Sequence, residues 1–169
     1  MNPELPRVVL IMGVSGSGKT TIARLLASRL GGVFFDADDF HPPENIAKMS
    51  HGIPLDDTDR LPWLEHLRKE IIDSAPQGHI TVLACSALKK SYRETLGLNR
   101  PDVATVFLHG DPETLAERLS TRPGHFMKSG MLASQFAVLE PPDDALHIPI
   151  TLSPLEICER IEAHHDLLP

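Results

Sequence analysis

The sequence is short of aromatic residues, cysteine and positive charge. Phe, Trp and Tyr make up 5% of the 169 residues, so a core must be built mainly from Leu, Ile, Val and Ala. Cys85 and Cys158 are far apart and lie in apolar contexts. This indicates buried thiols in a reducing compartment, and argues against a disulfide or a metal pair. The formal net charge of −7 argues against sequence-independent nucleic-acid binding, which needs a basic surface.

Long apolar runs are also missing. No stretch approaches the roughly 20 apolar residues that cross a bilayer, and segment 1–7 carries two prolines and an acid, unlike a signal peptide. We therefore predict a cytoplasmic protein that binds neither membrane nor nucleic acid. Hydrophobic residues make up 41% of the chain, which is enough for one folded core. We predict a single domain over residues 1–169.

Short apolar runs alternate with amphipathic stretches along the chain. The predicted strands cover residues 8–12, 33–35, 80–85, 103–108 and 147–152. The predicted helices cover residues 20–30, 43–50, 61–74, 88–96, 113–122, 131–139 and 154–165, with a polar turn at 56–60. Strands that alternate with helices imply an α/β fold of three layers, in which helices flank a parallel sheet of about five strands.

A glycine-rich segment follows the first predicted strand. Residues 13–20 match the pattern G-x-x-x-x-G-K-[ST] in full. The glycines let backbone N–H groups wrap a chain of phosphates, and the next helix adds its positive N-terminal end. Lys19 supplies a cation for the phosphates, and the Thr20 hydroxyl can bind Mg²⁺. We therefore predict a nucleoside triphosphate site. Its expected contacts are Gly13, Val14, Ser15, Gly16, Ser17, Gly18, Lys19, Thr20 and Thr21.

Acidic residues end the second predicted strand. In a parallel sheet, ligands bind at the carboxyl ends of the strands. If the strand continues, Asp36 and Asp38 point to the same side. One acid can then hold Mg²⁺ through water, and the next can accept the proton of an attacking hydroxyl. Asp39 is better explained as a helix cap or part of a solvated turn.

Two classes of phosphate-loop protein compete at this point. A GTP-driven switch usually carries D-x-x-G and N-K-x-D, and the sequence contains neither. The small size and the acids after the second strand favour an enzyme that passes the γ-phosphate to a small acceptor. A non-catalytic nucleotide-binding module remains the alternative from another class.

Several motifs together resemble the gluconokinase family, a group of P-loop small-molecule kinases related to shikimate kinase. They are D-x-D-x-x-H at 36–41, D-R-x-P-W-L at 59–64, and the segments 85–93 and 124–136, in addition to the generic phosphate loop. The resemblance implies ATP-dependent phosphorylation of D-gluconate at its 6-hydroxyl, giving 6-phospho-D-gluconate and ADP, by a homodimer. A kinase for another small hydroxy acid, such as shikimate, is the alternative among enzymes.

The resemblance also implies roles for the two acids, with Asp38 as the catalytic base and Asp36 as the Mg²⁺ contact. Gluconate carries one carboxylate, which the planar fork of an arginine can clamp, so Arg60 is the first candidate for that contact. An ion pair between Arg60 and Asp56 or Asp57 is the alternative.

Four further residues complete the predicted substrate contacts. Lys89 and Arg93 lie about one helical turn apart after the third strand, so both can face the crevice. His41 can hydrogen-bond the polyol, although a lone histidine is more often structural. Gln135 lies in the segment that matches the family.

Two arginines precede a loop rich in Gly, His and Lys. Kinases of this kind close a lid over ATP, which excludes water and brings an arginine to the transferring phosphoryl group. We predict a mobile lid over about residues 121–135. Arg122 is expected to act on the phosphoryl group together with Asp38 and Lys19, and Arg118 to contact the nucleotide. Either arginine can instead pair with an acid of its own helix.

Two segments depart from the family pattern. The third strand runs into Cys85, where a second metal-binding aspartate is usual. Metal binding is therefore expected to depend on Thr20, Asp36 and water. Segment 147–152, which we expect near the adenine, has no acidic residue.

Overall fold

The computed structural model describes residues 5–121 and 129–167. The strands are β1 (Val8–Met12), β2 (Val33–Asp36), β3 (Thr81–Ala84), β4 (Val103–His109) and β5 (Leu146–Pro149). The helices are α1 (Lys19–Leu30), α2 (Pro43–Ser50), α3 (Asp57–Leu67), α4 (Lys90–Leu96), α5 (Pro112–Ser120), α6 (Ser129–Val138) and α7 (Pro154–His164). A 3₁₀ turn covers Ala37–Phe40, and a π-helical turn, Arg68–Ile72, extends α3.

The five strands form one parallel sheet in the order β2-β3-β1-β4-β5. The central strand is β1, and its Ile11 pairs with Ala84 of β3 on one side and Val106 of β4 on the other. Since all strands are parallel, the loops that follow β1, β2 and β3 leave the same edge of the sheet. This edge carries the residues predicted to bind ligands, and the predicted fold class is confirmed.

Successive side chains of β1 enter two separate cores, as the two-residue period of a strand requires. Val9 and Ile11 face a core that is completed by α1, α5, α6 and α7. Val8, Leu10 and Met12 face a second core, which is completed by α3, its π-helical turn and α4. The sheet is therefore the middle of three layers. None of the helices in the described ranges has the length and apolar character needed to cross a membrane.

Helix α3 begins earlier than the sequence suggests. The side chain of Asp56 accepts a hydrogen bond from the Asp59 N–H at 2.8 Å, and the Asp59 side chain accepts one from the Asp56 N–H at 3.1 Å. This reciprocal capping starts the helix at Asp57. Pro62 lies inside the helix. The predicted turn at 56–60 is therefore wrong, and Arg60 lies on a helix.

Charged residues hold the amino ends of β1 and β4 together. Asp102 accepts hydrogen bonds from Arg7, with an Nη2–Oδ2 distance of 2.5 Å, and from Arg100, with 2.9 Å. Arg100 also pairs with Asp73 at 2.5 Å. Hydrogen bonding to the two guanidinium groups, first of all that of Arg100, lowers the pKa of Asp102 to about 2.

Candidate active site

The phosphate loop connects β1 to α1, and close neighbours leave no room for a side chain at Gly13 and Gly16. A Cβ on Gly13 would lie 2.7 Å from the backbone oxygen of Leu108. A Cβ on Gly16, where φ is +82°, would lie 3.0 Å from Cγ of Leu119. The loop therefore sits directly on β4 and α5, in a conformation that larger residues resist. Within it, the Lys19 ammonium donates to the backbone oxygen of Val14 at 3.1 Å.

The two residues predicted to hold Mg²⁺ lie together, although β3 separates β2 from β1. The Thr20 hydroxyl donates to Oδ2 of Asp36 at 2.9 Å. Both side chains offer oxygen atoms, which Mg²⁺ prefers. Among the described residues, no group of three or more His, Cys, Asp or Glu side chains is arranged to hold a metal. The residues present fit an ion that takes most of its ligands from phosphates and water.

The thiol at the end of β3 is buried and free. Cys85 is fully buried, and desolvation raises its pKa to about 12. It therefore stays a neutral thiol near pH 7, whereas a metal ligand must be a thiolate. Cys158 is also buried and free, with a pKa raised to about 11 by burial. Both cysteines are structural, as predicted.

Asp38 is placed by a turn and not by a strand. β2 ends at Asp36, whose Oδ1 caps the 3₁₀ turn by accepting the Asp38 N–H at 3.0 Å. The idea that both acids project from one continuing strand is therefore wrong. The Asp38 side chain is 86% exposed, and Nε2 of His41 lies 3.8 Å from its Oδ1. His41, helped by the charge of Lys19, lowers the pKa of Asp38, which favours the carboxylate form that a base needs.

Four side chains from α3, α4 and the residue that precedes α4 form what we call the acceptor cluster: Asp57, Arg60, Lys89 and Tyr92. Arg60 Nη1 donates to the Tyr92 hydroxyl at 2.9 Å, and that hydroxyl donates to Asp57 Oδ1 at 2.5 Å. Lys89 Nζ donates to the same carboxylate at 3.0 and 3.1 Å. The hydrogen bonds from Tyr92 and Lys89 lower the pKa of Asp57.

Sequence reasoning identified only half of this cluster. Arg60 and Lys89 were predicted, and the structure brings both to one phenol ring, with cation-to-centroid distances of 5.5 and 5.4 Å. Asp57 was considered only as a partner of Arg60, and Tyr92 was missed. The available signal was that Tyr92 lies three residues after Lys89, but the pairing with Asp57 depends on how α3 packs against α4.

Arg93 braces the segment between β3 and α4. Its guanidinium donates to the backbone oxygens of Ala87 at 2.7 Å, Leu88 at 3.2 Å and Glu140 at 2.8 Å. These bonds hold the β3–α4 segment against the chain that follows α6. Burial lowers the pKa of Arg93. The structure therefore shows Arg93 as a brace of the scaffold, and its contact with the substrate stays a prediction.

Gln135 contacts the phosphate loop. Its Oε1 accepts the Ser15 N–H at 2.7 Å, and its Nε2 donates to the Ser15 hydroxyl at 2.9 Å. The side chain therefore connects α6 to the phosphate loop, whereas we had predicted a contact with the acceptor. The contact with the acceptor stays a prediction.

The structure describes two of the other predicted nucleotide contacts, Arg118 and Thr21. Arg118 Nη2 donates to the backbone oxygen of Ile150 at 2.6 Å, which places it beside the segment expected near the adenine. Thr21 is exposed in the first turn of α1. Arg122 and segment 122–128 of the predicted lid lie outside the described residues, so both remain predictions. α6, which falls partly within the predicted lid, packs against the core through Leu132.

Comparisons with known proteins match most of the chain. A family model described as an AAA domain matches residues 9–137. The gluconokinase of Gluconobacter oxydans (strain 621H) is 50% identical over 141 residues, covering 82% of this chain and 78% of that protein. A gluconokinase structure from Sinorhizobium meliloti 1021 is 40% identical with a TM-score of 0.83, covering 96% and 93% of the two chains. An Acinetobacter baumannii shikimate kinase structure, 17% identical with a TM-score of 0.62 over 94% and 92%, shares the fold alone.

Proposed function

The chain belongs to the gluconokinase family, and from this premise we propose that it transfers the γ-phosphate of ATP to the 6-hydroxyl of D-gluconate. The products are 6-phospho-D-gluconate and ADP. Relatives that are named gluconokinase support this choice over shikimate kinase, since the latter shares only the fold. They also support an enzyme over a non-catalytic nucleotide-binding module.

The charge of the acceptor cluster supports a sugar acid as the substrate, independently of family membership. Two cations, Arg60 and Lys89, converge at the edge of the sheet that also carries the phosphate loop and Asp38. Only one carboxylate, that of Asp57, is held within this cluster. The cluster therefore carries two positive charges and one negative charge, so it can bind one further anion. A sugar acid has one carboxylate, and that group suits the guanidinium of Arg60.

The chemical step then needs a base and charge stabilisation. The 6-hydroxyl oxygen attacks the γ-phosphorus while its proton passes to the Asp38 carboxylate. The bond from that phosphorus to the β–γ bridging oxygen breaks, and ADP leaves with the electron pair. Lys19 stabilises the negative charge of the transferring phosphoryl group, and so does Arg122 of the predicted lid. Thr20 and Asp36 would hold Mg²⁺, which would supply further neutralisation of the phosphates.

The other contacts divide between the two substrates. On the nucleotide side we propose the backbone of residues 13–20, Thr21 and Arg118, to which we add Gln135 because of its bonds to Ser15. His41 belongs to the acceptor side, since its Nε2 lies 3.8 Å from Oδ1 of Asp38. The proposed roles place the phosphoryl group between the phosphate loop and Asp38.

The first experiment measures ADP release with Mg-ATP against gluconate, shikimate, gluconate epimers and neutral sugars. Strong stimulation by gluconate alone is expected. Asp38→Asn should then lower kcat by about 10²–10⁴-fold and keep ATP binding, since it removes a positioned base. Asp39→Asn is the matched control, because it removes the same charge from the adjacent position. If a different acid stimulates ADP release, that acid is the substrate in place of gluconate. If no acceptor stimulates it, the result favours a non-catalytic nucleotide-binding module.

We also propose that the protein is a cytoplasmic homodimer. The resemblance supports the dimer, and two buried free thiols suit a reducing compartment. Light scattering should give about twice the chain mass of 18.6 kDa. A mass of one chain at micromolar concentration would contradict the dimer.

A further inference from the structure

We propose that His41 and Asn45 are positioning residues that hold the Asp38 carboxylate for proton transfer. This inference rests on the proposed function, in which Asp38 is the base. It differs from the expectation that His41 binds the polyol, because it has His41 act through Asp38. It also gives a role to Asn45, a polar residue that is only 2% exposed.

The orientation of the Asn45 amide is fixed by a backbone carbonyl. Asn45 Nδ2 donates to the backbone oxygen of Asp59 at 3.1 Å, and a carbonyl can only accept. The same nitrogen lies 3.4 Å from Nδ1 of His41 and has a second hydrogen to offer. Asn45 therefore presents a donor to the imidazole ring.

That donor determines the tautomer of His41. A nitrogen that faces an N–H donor must act as the acceptor, so Nδ1 carries no hydrogen in the neutral ring. The hydrogen then lies on Nε2, the atom that is 3.8 Å from Oδ1 of Asp38. This distance is longer than a hydrogen bond, but the Asp38 side chain is exposed and a small rotation shortens it.

The imidazole ring itself is held in place by stacking. The rings of His41 and Trp63 are 4.1 Å apart between centroids, with an interplanar angle of 16°. The Trp63 indole donates to the backbone oxygen of Ala37 at 2.8 Å, which fixes the indole to the turn that carries Asp38. Only 6% of the His41 side chain is exposed. His41 therefore offers a fixed N–H to the base, and the second carboxylate oxygen remains open to the acceptor hydroxyl.

Two substitutions separate this role from simple packing. His41→Phe keeps an aromatic ring against Trp63 and removes the donor. His41→Gln places an amide N–H near the position of Nε2 and removes the stack. Loss of one hydrogen bond to the base should lower kcat of His41→Phe about tenfold, with the KM for gluconate within twofold of wild type. His41→Gln should keep most of kcat, although its thermal stability should fall more than that of His41→Phe.

A double-mutant cycle completes the test. In an Asp38→Asn background there is no carboxylate to hold, so adding His41→Phe should change the residual kcat by less than twofold. Additive losses, or a rise in the KM for gluconate as the main effect, would overturn the inference and favour direct contact with the polyol. These outcomes differ from failure of the proposed function, in which the wild-type protein shows no turnover with gluconate or Asp38→Asn retains it.

Discussion

Replacing Arg60 by methionine tests how the acceptor is recognised. Methionine keeps much of the aliphatic length and removes the charge and the donors. A hydrogen bond to a charged group contributes about 1.5–3 kcal/mol, and each 1.4 kcal/mol is tenfold in an equilibrium constant. We therefore expect the KM for gluconate to rise about 10- to 100-fold. The fold should tolerate the change, because the bond to Tyr92 is part of a half-buried surface cluster.

The assay is coupled ADP release at saturating Mg-ATP, with gluconate or D-glucitol as acceptor. Glucitol has the same chain of hydroxyls but no carboxylate, so Arg60→Met should leave its weak reaction unchanged. The ratio of kcat/KM for gluconate to that for glucitol should therefore fall about 10- to 100-fold. Arg68→Met is the matched control, since Arg68 is an exposed cation whose partner is Asp73 at 3.5 Å.

Two results would refute this reasoning. A KM for gluconate within twofold of wild type, in a variant that melts normally, would show that Arg60 does not bind the carboxylate. An equal loss with glucitol would show that Arg60 orders the site in general. In either case the next candidate for the clamp is Lys89, the second cation on the Tyr92 ring.

Three further predictions concern the loop and the scaffold. Gly16→Ala should weaken ATP binding by at least tenfold in calorimetry, because its Cβ would press on Leu119 at a backbone angle that alanine resists. An ATP affinity equal to that of the wild type would contradict the close packing of Gly16 against Leu119. Arg93→Met should lower the free energy of unfolding by about 1–3 kcal/mol in urea titrations, since three carbonyls lose their charged donor. An unchanged midpoint would refute its role as a brace. The low pKa of Asp102 gives stability that is complete above about pH 4 and is lost as the pH falls toward 2. In Asp102→Asn, the free energy of unfolding should fall less as the pH is lowered, by at most about 2 kcal/mol. An unchanged dependence of stability on pH would contradict this role of Asp102.

The fold and the phosphate loop were predictable because their signals are local. Each strand is a short apolar run, and β1, which is buried on both faces, shows this most clearly. The loop motif is contiguous, so it can be identified from residues 13–20 alone. The resemblance to the gluconokinase family was confirmed by the comparisons, and it rested on motifs spread along the chain.

The sequence does not reveal the contacts of Lys89, Arg93 and Asp38, because a local turn and the packing of distant segments determine them. Lys89 and Arg93 seemed to share a helix face, but Lys89 caps α4 with extended backbone angles. The two side chains therefore diverge, one to Asp57 and the other to backbone carbonyls. The position of Asp38 likewise depends on a turn that Asp36 caps, which a strand pattern does not reveal.

The two cores lie on opposite faces of the sheet, and each supports the proposed binding residues of a different substrate. The core under α1, α5 and α6 supports the phosphate loop, Arg118 and Gln135, while the core under α3 and α4 supports the acceptor cluster and Trp63. A small cavity made in one core therefore loosens the supports of one substrate more than those of the other. Core substitutions that leave the protein folded should sort by their kinetic signature, with those in the first core raising the KM for ATP and those in the second raising the KM for gluconate.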